Sequence, residues 1–176
     1  MAHDTRPEVF DQCIAWKSAQ YIRTGLQDMF RRPESVRLFR SLEAKGVLLV
    51  SSLSAGSHLL AVHFAAISDG RFSSWIAAYD PRHGHYSPGR LLLEDLLRER
   101  QARGDREFDF GIGNSSYKWH YATHNRTIGP LGSPAAAQVL GCRARASVKR
   151  VLRRWPGLLA RVQRLRLRMR ERGVRL

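Results

Sequence analysis

The segment at residues 87–91 combines the start of a helix with groups that bind anions. Pro88 is favoured at the first helical position, and Ser87 stands where a capping hydroxyl is preferred. The first amides of a helix lack partners within it, so a helix start attracts phosphates. Gly89 lets a ligand approach the backbone closely, and Arg90 can add a charged contact. We therefore predict that Ser87, Gly89, Arg90 and Leu91 bind a phosphate-bearing ligand; the alternative is an ordinary capped helix.

A second group of reactive side chains lies further along the chain. Asp109 comes late in a predicted strand, and Gly111 and Gly113 follow it. The end of a strand is a common place for a ligand cleft. Tyr117 and Lys118 lie on a short predicted helix, so a phenol and an amine can face the same cleft. The alternatives are that Asp109 caps a turn, that Tyr117 is a core residue and that Lys118 is a surface residue.

The sequence contains no convincing metal site. His83 and His85 lack a third ligand nearby, and Cys13 and Cys142 do not have the spacing of metal ligands. We interpret the two cysteines as small buried side chains. The first residues include no apolar segment typical of a secretory signal, so we expect the protein to be cytoplasmic.

The positive charge is concentrated at one end of the chain. Of the net charge of +15, residues 143–176 contribute +12. Residues 1–142 are nearly balanced and are predicted to form the main domain, which makes nucleic acid an unlikely partner for it. Residues 143–176 are predicted to form a basic amphipathic helical tail, whose helix at 158–172 binds an anionic membrane surface or a protein partner. Peripheral attachment to the inner membrane is one expectation, and nucleic-acid binding by this segment alone stays open.

Helices are predicted in the first part of the chain. Thr5 and Glu8 have the spacing of a capping box, and Gly25 ends the helix that follows them. A second helix begins after Pro33 and ends at Gly46.

The remaining pattern is that of a mixed α/β domain. Apolar runs predict strands at 47–53, 58–68 and 71–79, with a hairpin turn at Asp69-Gly70 because both residues tolerate a positive φ. A leucine-rich helix then runs from Ser87 to Gly104, before a strand at 107–111. Further elements are predicted at 115–121 (helix), 126–131 (strand), 135–154 (helix) and 158–172 (helix). The expected fold is therefore a mostly antiparallel sheet flanked by helices.

Several of these segments, taken together, resemble a known family. The pattern comprises residues 17–25, 79–81 (Tyr-Asp-Pro), 86–89 (Tyr-Ser-Pro-Gly), the leucine-rich helix, 109–113 (Asp-Phe-Gly-Ile-Gly) and 117–118 (Tyr-Lys). Their order and spacing resemble the cellulose-biosynthesis type of acetyltransferase domain. This type is a branch of the GNAT superfamily related in fold to the Fem-type aminoacyl transferases. The similarity covers about residues 8–125 and looks like the C-terminal half of longer relatives.

The resemblance implies a fold, a co-substrate and roles for individual residues. It implies a sheet whose splayed strands admit the pantetheine arm of acetyl-CoA, with the pyrophosphate at Ser87–Leu91. It implies acyl transfer to an amine or hydroxyl of a small molecule or glycan. We assign Asp109 as the general base, with Lys118 and Tyr117 as polarising or positioning groups. Because relatives carry a second GNAT-like half, a homodimer is a further expectation.

Three functions stay open at this stage. The first is an acyl-CoA-dependent N- or O-acyltransferase, in polysaccharide or cell-envelope biosynthesis. The second is Fem-type aminoacyl transfer from charged tRNA, for which the basic segment supplies a partner surface. The third is a non-catalytic half-domain that serves as an adaptor at a membrane or on a protein partner.

Overall fold

The computed structural model describes residues 4–129. These residues belong to two compact units, Met1–Lys118 and Trp119–Leu176, and the second unit is described only through residue 129. The helices predicted at 135–154 and at 158–172 lie outside the described residues. None of the helices within residues 4–129 is both long and apolar enough to span a bilayer.

Two helices open the first unit. Helix α1 (Pro7–Arg23) and helix α2 (Pro33–Ala44) each begin with a proline, and a short 3-10 helix (Met29–Arg31) precedes α2. The prediction of a capping box at Thr5 and Glu8 is wrong, because the residue at the N-cap is Arg6 and no side chain caps the helix. The chain enters α1 differently because Asp4 binds the Arg6 guanidinium and amide.

The sheet has four strands in the order β1-β2-β3-β4. Strands β1 (Leu48–Ala55), β2 (His58–Ser68) and β3 (Arg71–Tyr79) form an antiparallel meander. The predicted hairpin turn between β2 and β3 is confirmed, since Asp69 and Gly70 both have positive φ, at 51° and 68°. This conformation matches the twist of the two strands and costs glycine little energy.

The fourth strand is reached through a helix. Helix α3 (Pro88–Ala102) connects β3 to β4 (Glu107–Asp109), and β4 pairs with β3 in parallel. This strand–helix–strand unit is the one the sequence predicts, although β4 ends two residues earlier than the predicted strand at 107–111. The described chain continues through α4 (Ser116–Tyr121). The strand predicted at 126–131 is wrong over its described part, because residues 126–129 form no strand.

The sheet carries an apolar layer on each face. One layer packs with α1 and α2 and contains Phe10 stacked on Phe64, with ring centroids 4.9 Å apart. The other packs with α3 and contains Phe72, Leu92 and Leu96, all of which are buried. Burial of such side chains from both faces of one sheet is the main stabilising contribution, about 1.5–3 kcal/mol for each large residue. The sequence-based prediction of a mixed, mostly antiparallel sheet flanked by helices is confirmed for the described residues.

Candidate functional site

Strand β4 pairs in parallel with only the first three residues of β3. Their register runs from Arg71 opposite Glu107 to Ser73 opposite Asp109, where β4 ends. Immediately beyond this point β3 contains a bulge, because Phe64 pairs with Ile76 while the next residue of β2 pairs with Ser74. A bulge bends a strand and increases its twist. Strand β3 therefore continues from Ser74 to Tyr79 with no described strand on its outer edge.

Along the outer edge of β3, every second residue directs its backbone N–H and C=O groups away from β2. The Asp80 amide donates to the Leu60 carbonyl at 2.9 Å, which makes these two residues a hydrogen-bonded pair of the antiparallel ladder. Hydrogen-bonded and non-bonded pairs alternate along such a ladder. Ala77 and Tyr79 therefore direct their N–H and C=O groups away from β2. An extended ligand that lies along this edge can pair with them as a strand would.

The connection from β3 to α3 is built around a buried carboxylate. Asp80 is 2% exposed, and its side chain accepts from the Arg82 amide at 2.9 Å and from the Arg82 guanidinium at 2.6 Å. These hydrogen bonds lower the pKa of Asp80 to about 2. The segment that follows is a 3-10 helix, Pro81–Tyr86, with Asp80 at its N-cap. Asp80 thereby determines where the chain enters α3.

The start of α3 offers fewer amides than the sequence suggests. The Ser87 amide donates to Gly84, and the Arg90 and Leu91 amides both donate to the Ser87 carbonyl, at 2.9 and 3.2 Å. Pro88 has no N–H. Gly89 is therefore the first-turn residue whose amide donates to no backbone carbonyl among the described residues. The prediction that the Ser87 hydroxyl caps the helix is wrong: Ser87 occupies the N-cap with φ 54° but makes no side-chain cap bond.

The two remaining predicted residues at this helix start face outward. The Arg90 side chain donates to Glu94 one turn later at 2.9 Å, so its guanidinium is held on the helix surface. Leu91 is 48% exposed and can contact a ligand without rearrangement. The helix start therefore combines one open amide, one exposed apolar side chain and a nearby guanidinium.

An aromatic ring links the helix start to the end of β3. A Cβ atom added to Gly89 would lie 3.4 Å from Cδ1 of Tyr79, and one added to Gly84 would lie 3.4 Å from Cε2 of the same ring. The Tyr79 ring thus packs against the backbone on both sides. The last residue of β3 therefore lies against the start of α3, where Gly89 is located.

Asp109 and Lys118 meet at the backbone of Gly111. The Asp109 carboxylate accepts from the Gly111 amide at 2.7 Å, while Lys118 Nζ donates to the carbonyls of Gly111 and Ile112 at 3.1 and 2.9 Å. Burial lowers the pKa of Lys118, and Asp109 acts in the opposite direction. Gly111 adopts φ 68°, and an added Cβ would approach the Ser74 carbonyl oxygen at 3.1 Å. The predicted residues are therefore brought together next to the point where β3 and β4 part.

Tyr117 lies beside this group without a hydrogen bond that defines its role. Its side chain is about half exposed, and burial raises the pKa of its phenol. Among residues 4–129 no cluster of three potential metal ligands occurs.

Two residues of this region were not assigned as site residues from the sequence. Asp80 was visible only as part of the Tyr-Asp-Pro run. Lys17 lies on α1, and its Nζ donates to the Ala77 carbonyl at 3.1 Å, so it contacts the open edge of β3. The available signal is the helical spacing of Lys17 from Phe10, Cys13 and Tyr21, which places a lysine on a face where an apolar residue is expected.

A four-stranded, mostly antiparallel sheet with flanking helices, in which β3 and β4 pair in parallel only briefly, matches a GNAT-like fold. The chain belongs to the GNAT acetyltransferase family, since the model of the acetyltransferase (GNAT) domain matches residues 1–119. Domains of this family use acetyl-CoA as the co-substrate. A solved structure described as a probable acetyltransferase aligns with 75% of this chain and 95% of its own, at 12% identity and a TM-score of 0.49. No curated protein matches the chain.

Proposed function

We propose that this domain transfers the acetyl group of acetyl-CoA to an amine or hydroxyl acceptor. The observation that carries the proposal is the open edge of β3 from Ser74 to Tyr79, whose last residue lies against Gly89 at the start of α3. The pantetheine arm would lie along this edge, with one of its amides paired with Tyr79 and its acyl end toward Ala77. The pyrophosphate would lie at Ser87–Leu91, with the Gly89 amide as donor and Arg90 as the nearby charge.

The residues around Gly111 would serve the acceptor. Asp109 would take the proton of the attacking amine or hydroxyl, because one carboxylate oxygen is already fixed by the Gly111 amide and orients the other. Lys118 would hold the loop through its two carbonyl contacts, and Tyr117 would line the acceptor side. Direct attack on the thioester carbon then expels coenzyme A as the thiolate.

We further propose a glycan or an amino-bearing small molecule as the acceptor class. This choice follows the similarity to the cellulose-biosynthesis type, and a role in polysaccharide or cell-envelope biosynthesis belongs to the same proposal. Thiol release from acetyl-CoA, measured with amino sugars, polyamines and neutral saccharides in parallel, separates amine acceptors from hydroxyl acceptors.

The first experiment is isothermal titration of the full chain with acetyl-CoA. Micromolar binding supports the proposed site, and an absence of binding supports a non-catalytic role instead. Aminoacyl transfer from tRNA would appear as RNA binding whose affinity falls steeply with salt.

The assignment of Asp109 is tested by two substitutions at this residue. Asp109→Asn retains an oxygen that accepts from the Gly111 amide but cannot act as a base, so binding of acetyl-CoA should persist while transfer falls by roughly 10²–10⁴-fold. Asp109→Ala also removes the turn contact and should weaken both binding and transfer. Full transfer activity in Asp109→Asn would show that Asp109 positions the loop and is not the base.

A further inference from the structure

Lys17 is a cation that helix α1 places at the open edge of β3. Its Nζ reaches from α1 to the Ala77 carbonyl at 3.1 Å and lies 5.3 Å from the centroid of the Tyr21 ring. The two residues joined by this hydrogen bond are 60 positions apart in the sequence. The side chain therefore crosses from the α1 layer to the edge where no described strand pairs with β3.

No anion among residues 4–129 balances this ammonium group, since none of their carboxylates forms an ion pair with Lys17. The nearby Cys13 does not supply a charge, because burial raises the pKa of its thiol to about 12 and keeps it protonated. Burial in turn lowers the pKa of Lys17. Partial burial of a cation without a counter-charge costs free energy. The Lys17 ammonium group has three N–H donors, and one carbonyl acceptor does not use all of them. The remaining donors are suited to a ligand oxygen.

The Ala77 backbone determines which part of a ligand Lys17 can contact. Both the N–H and the C=O of Ala77 point outward, so a ligand carbonyl that accepts from this amide comes to lie beside Lys17 Nζ. Along the same edge, Tyr79 lies on the side of Ala77 nearer the start of α3, and the bulge at Trp75 lies on its other side. An acyl-CoA with its pyrophosphate at Gly89 would thus pass Tyr79 first and bring the acyl end of its arm toward Ala77.

We propose that Lys17 donates a hydrogen bond to the thioester carbonyl oxygen of acetyl-CoA, a role that rests on the proposed function. The acceptor forms a bond to the carbonyl carbon, and the carbonyl electron pair moves to the oxygen, where Lys17 stabilises the negative charge. The pair then returns, the carbon–sulfur bond breaks, and coenzyme A leaves as the thiolate. The proton lost by the acceptor passes to the general base.

The test compares acetyl-CoA with coenzyme A, which lacks the thioester carbonyl. Titration calorimetry on the full chain is repeated with Lys17→Met, Lys17→Arg and the control Lys45→Met, which removes an exposed lysine at the end of α2. Lys17→Met should weaken acetyl-CoA about tenfold, as expected for loss of a hydrogen bond from a charged donor, and leave coenzyme A unchanged. Lys17→Arg should recover part of the difference, and Lys45→Met should bind both ligands as the parent chain does.

Each other outcome has a separate meaning. Equal weakening of both ligands, or no change in either, overturns the role of Lys17 but leaves the proposed function standing. If the parent chain binds neither ligand, the proposed function fails, and the role of Lys17 fails with it.

A second measurement needs no substitution and so does not depend on the folding of a variant. An amine-specific reagent should label Lys17 more slowly in the presence of acetyl-CoA than of coenzyme A, while labelling of Lys45 stays the same. Identical labelling of Lys17 with the two ligands would contradict the proposal.

Discussion

Substitution of Gly89 by alanine should affect the stability of the fold and the binding of acetyl-CoA differently. Gly89 lies in the first turn of α3, and its backbone does not occupy the left-handed region that favours glycine. The added Cβ would meet Cδ1 of Tyr79 at 3.4 Å, an ordinary van der Waals contact. Alanine is also the better helix former, by up to about 1 kcal/mol. The free energy of unfolding should therefore stay the same or increase by up to about 1 kcal/mol.

Binding of acetyl-CoA, by contrast, should become weaker in this variant. The new methyl group occupies the space between the Gly89 backbone and the Tyr79 ring, next to the amide proposed to bind the pyrophosphate. Loss of one hydrogen bond to a charged ligand is worth about 1.5–3 kcal/mol, which corresponds to a roughly ten- to hundredfold higher Kd. Urea unfolding and isothermal titration on the same sample measure the two effects.

The chain supplies a matched control for this substitution. An alanine at Gly84 makes the same 3.4 Å contact with the opposite side of the Tyr79 ring but lies in the 3-10 helix before α3. Gly84→Ala should bind acetyl-CoA as the parent chain does. Parent-like binding by Gly89→Ala would refute the argument that this glycine admits the ligand, and a marked loss of its stability would show that the fold itself requires the glycine.

Three further substitutions test the surrounding structure. Asp80→Ala removes the acceptor of the Arg82 amide and should lower the free energy of unfolding by about 1 kcal/mol, together with acetyl-CoA affinity; unchanged thermal melting and titration would contradict this. Gly111→Ala places an alanine at a φ of 68° and forces a 3.1 Å contact with the Ser74 carbonyl oxygen, so the free energy of unfolding in urea should fall by about 1–2 kcal/mol. An unchanged free energy of unfolding would show that this position does not require glycine. Burial lowers the pKa of His63 to about 4, so the unfolded chain takes up the proton first and stability should fall by up to about 3 kcal/mol as the pH drops from roughly 6.5 to 4. His63→Gln should lack this part of the decrease in urea titrations at the two ends of that range.

Local sequence was sufficient where an element depends on a few neighbouring residues. Pro33 and Pro88 mark helix starts, and the Asp69-Gly70 turn forms as predicted, because these backbones have few accessible conformations. The same reasoning failed at Thr5, where a capping box matches the sequence but Asp4 engages Arg6 instead. It failed again in the described residues of the strand predicted at 126–131, since a short segment forms a strand only when a neighbouring strand is available to pair with it.

The candidate site divides in the same way. The residues at the start of α3 and around Gly111 were identifiable because their types and spacing are visible in one stretch of chain. Their assigned roles remain predictions. The bonding of Ser87 was not predictable, since its φ of 54° depends on the turn that Asp80 organises.

The sequence alone therefore determined the order of the elements, the hairpin and the two groups of reactive residues, all of which follow from local backbone preferences and hydrophobic periodicity. Only the tertiary structure decided that β3 and β4 pair in parallel for a short stretch and that Ala77 faces the open edge. It also brought Lys17 to that edge. The physical reason is that strand register, the bulge at Trp75 and the contact between α1 and β3 arise from packing between distant segments, which no local pattern encodes.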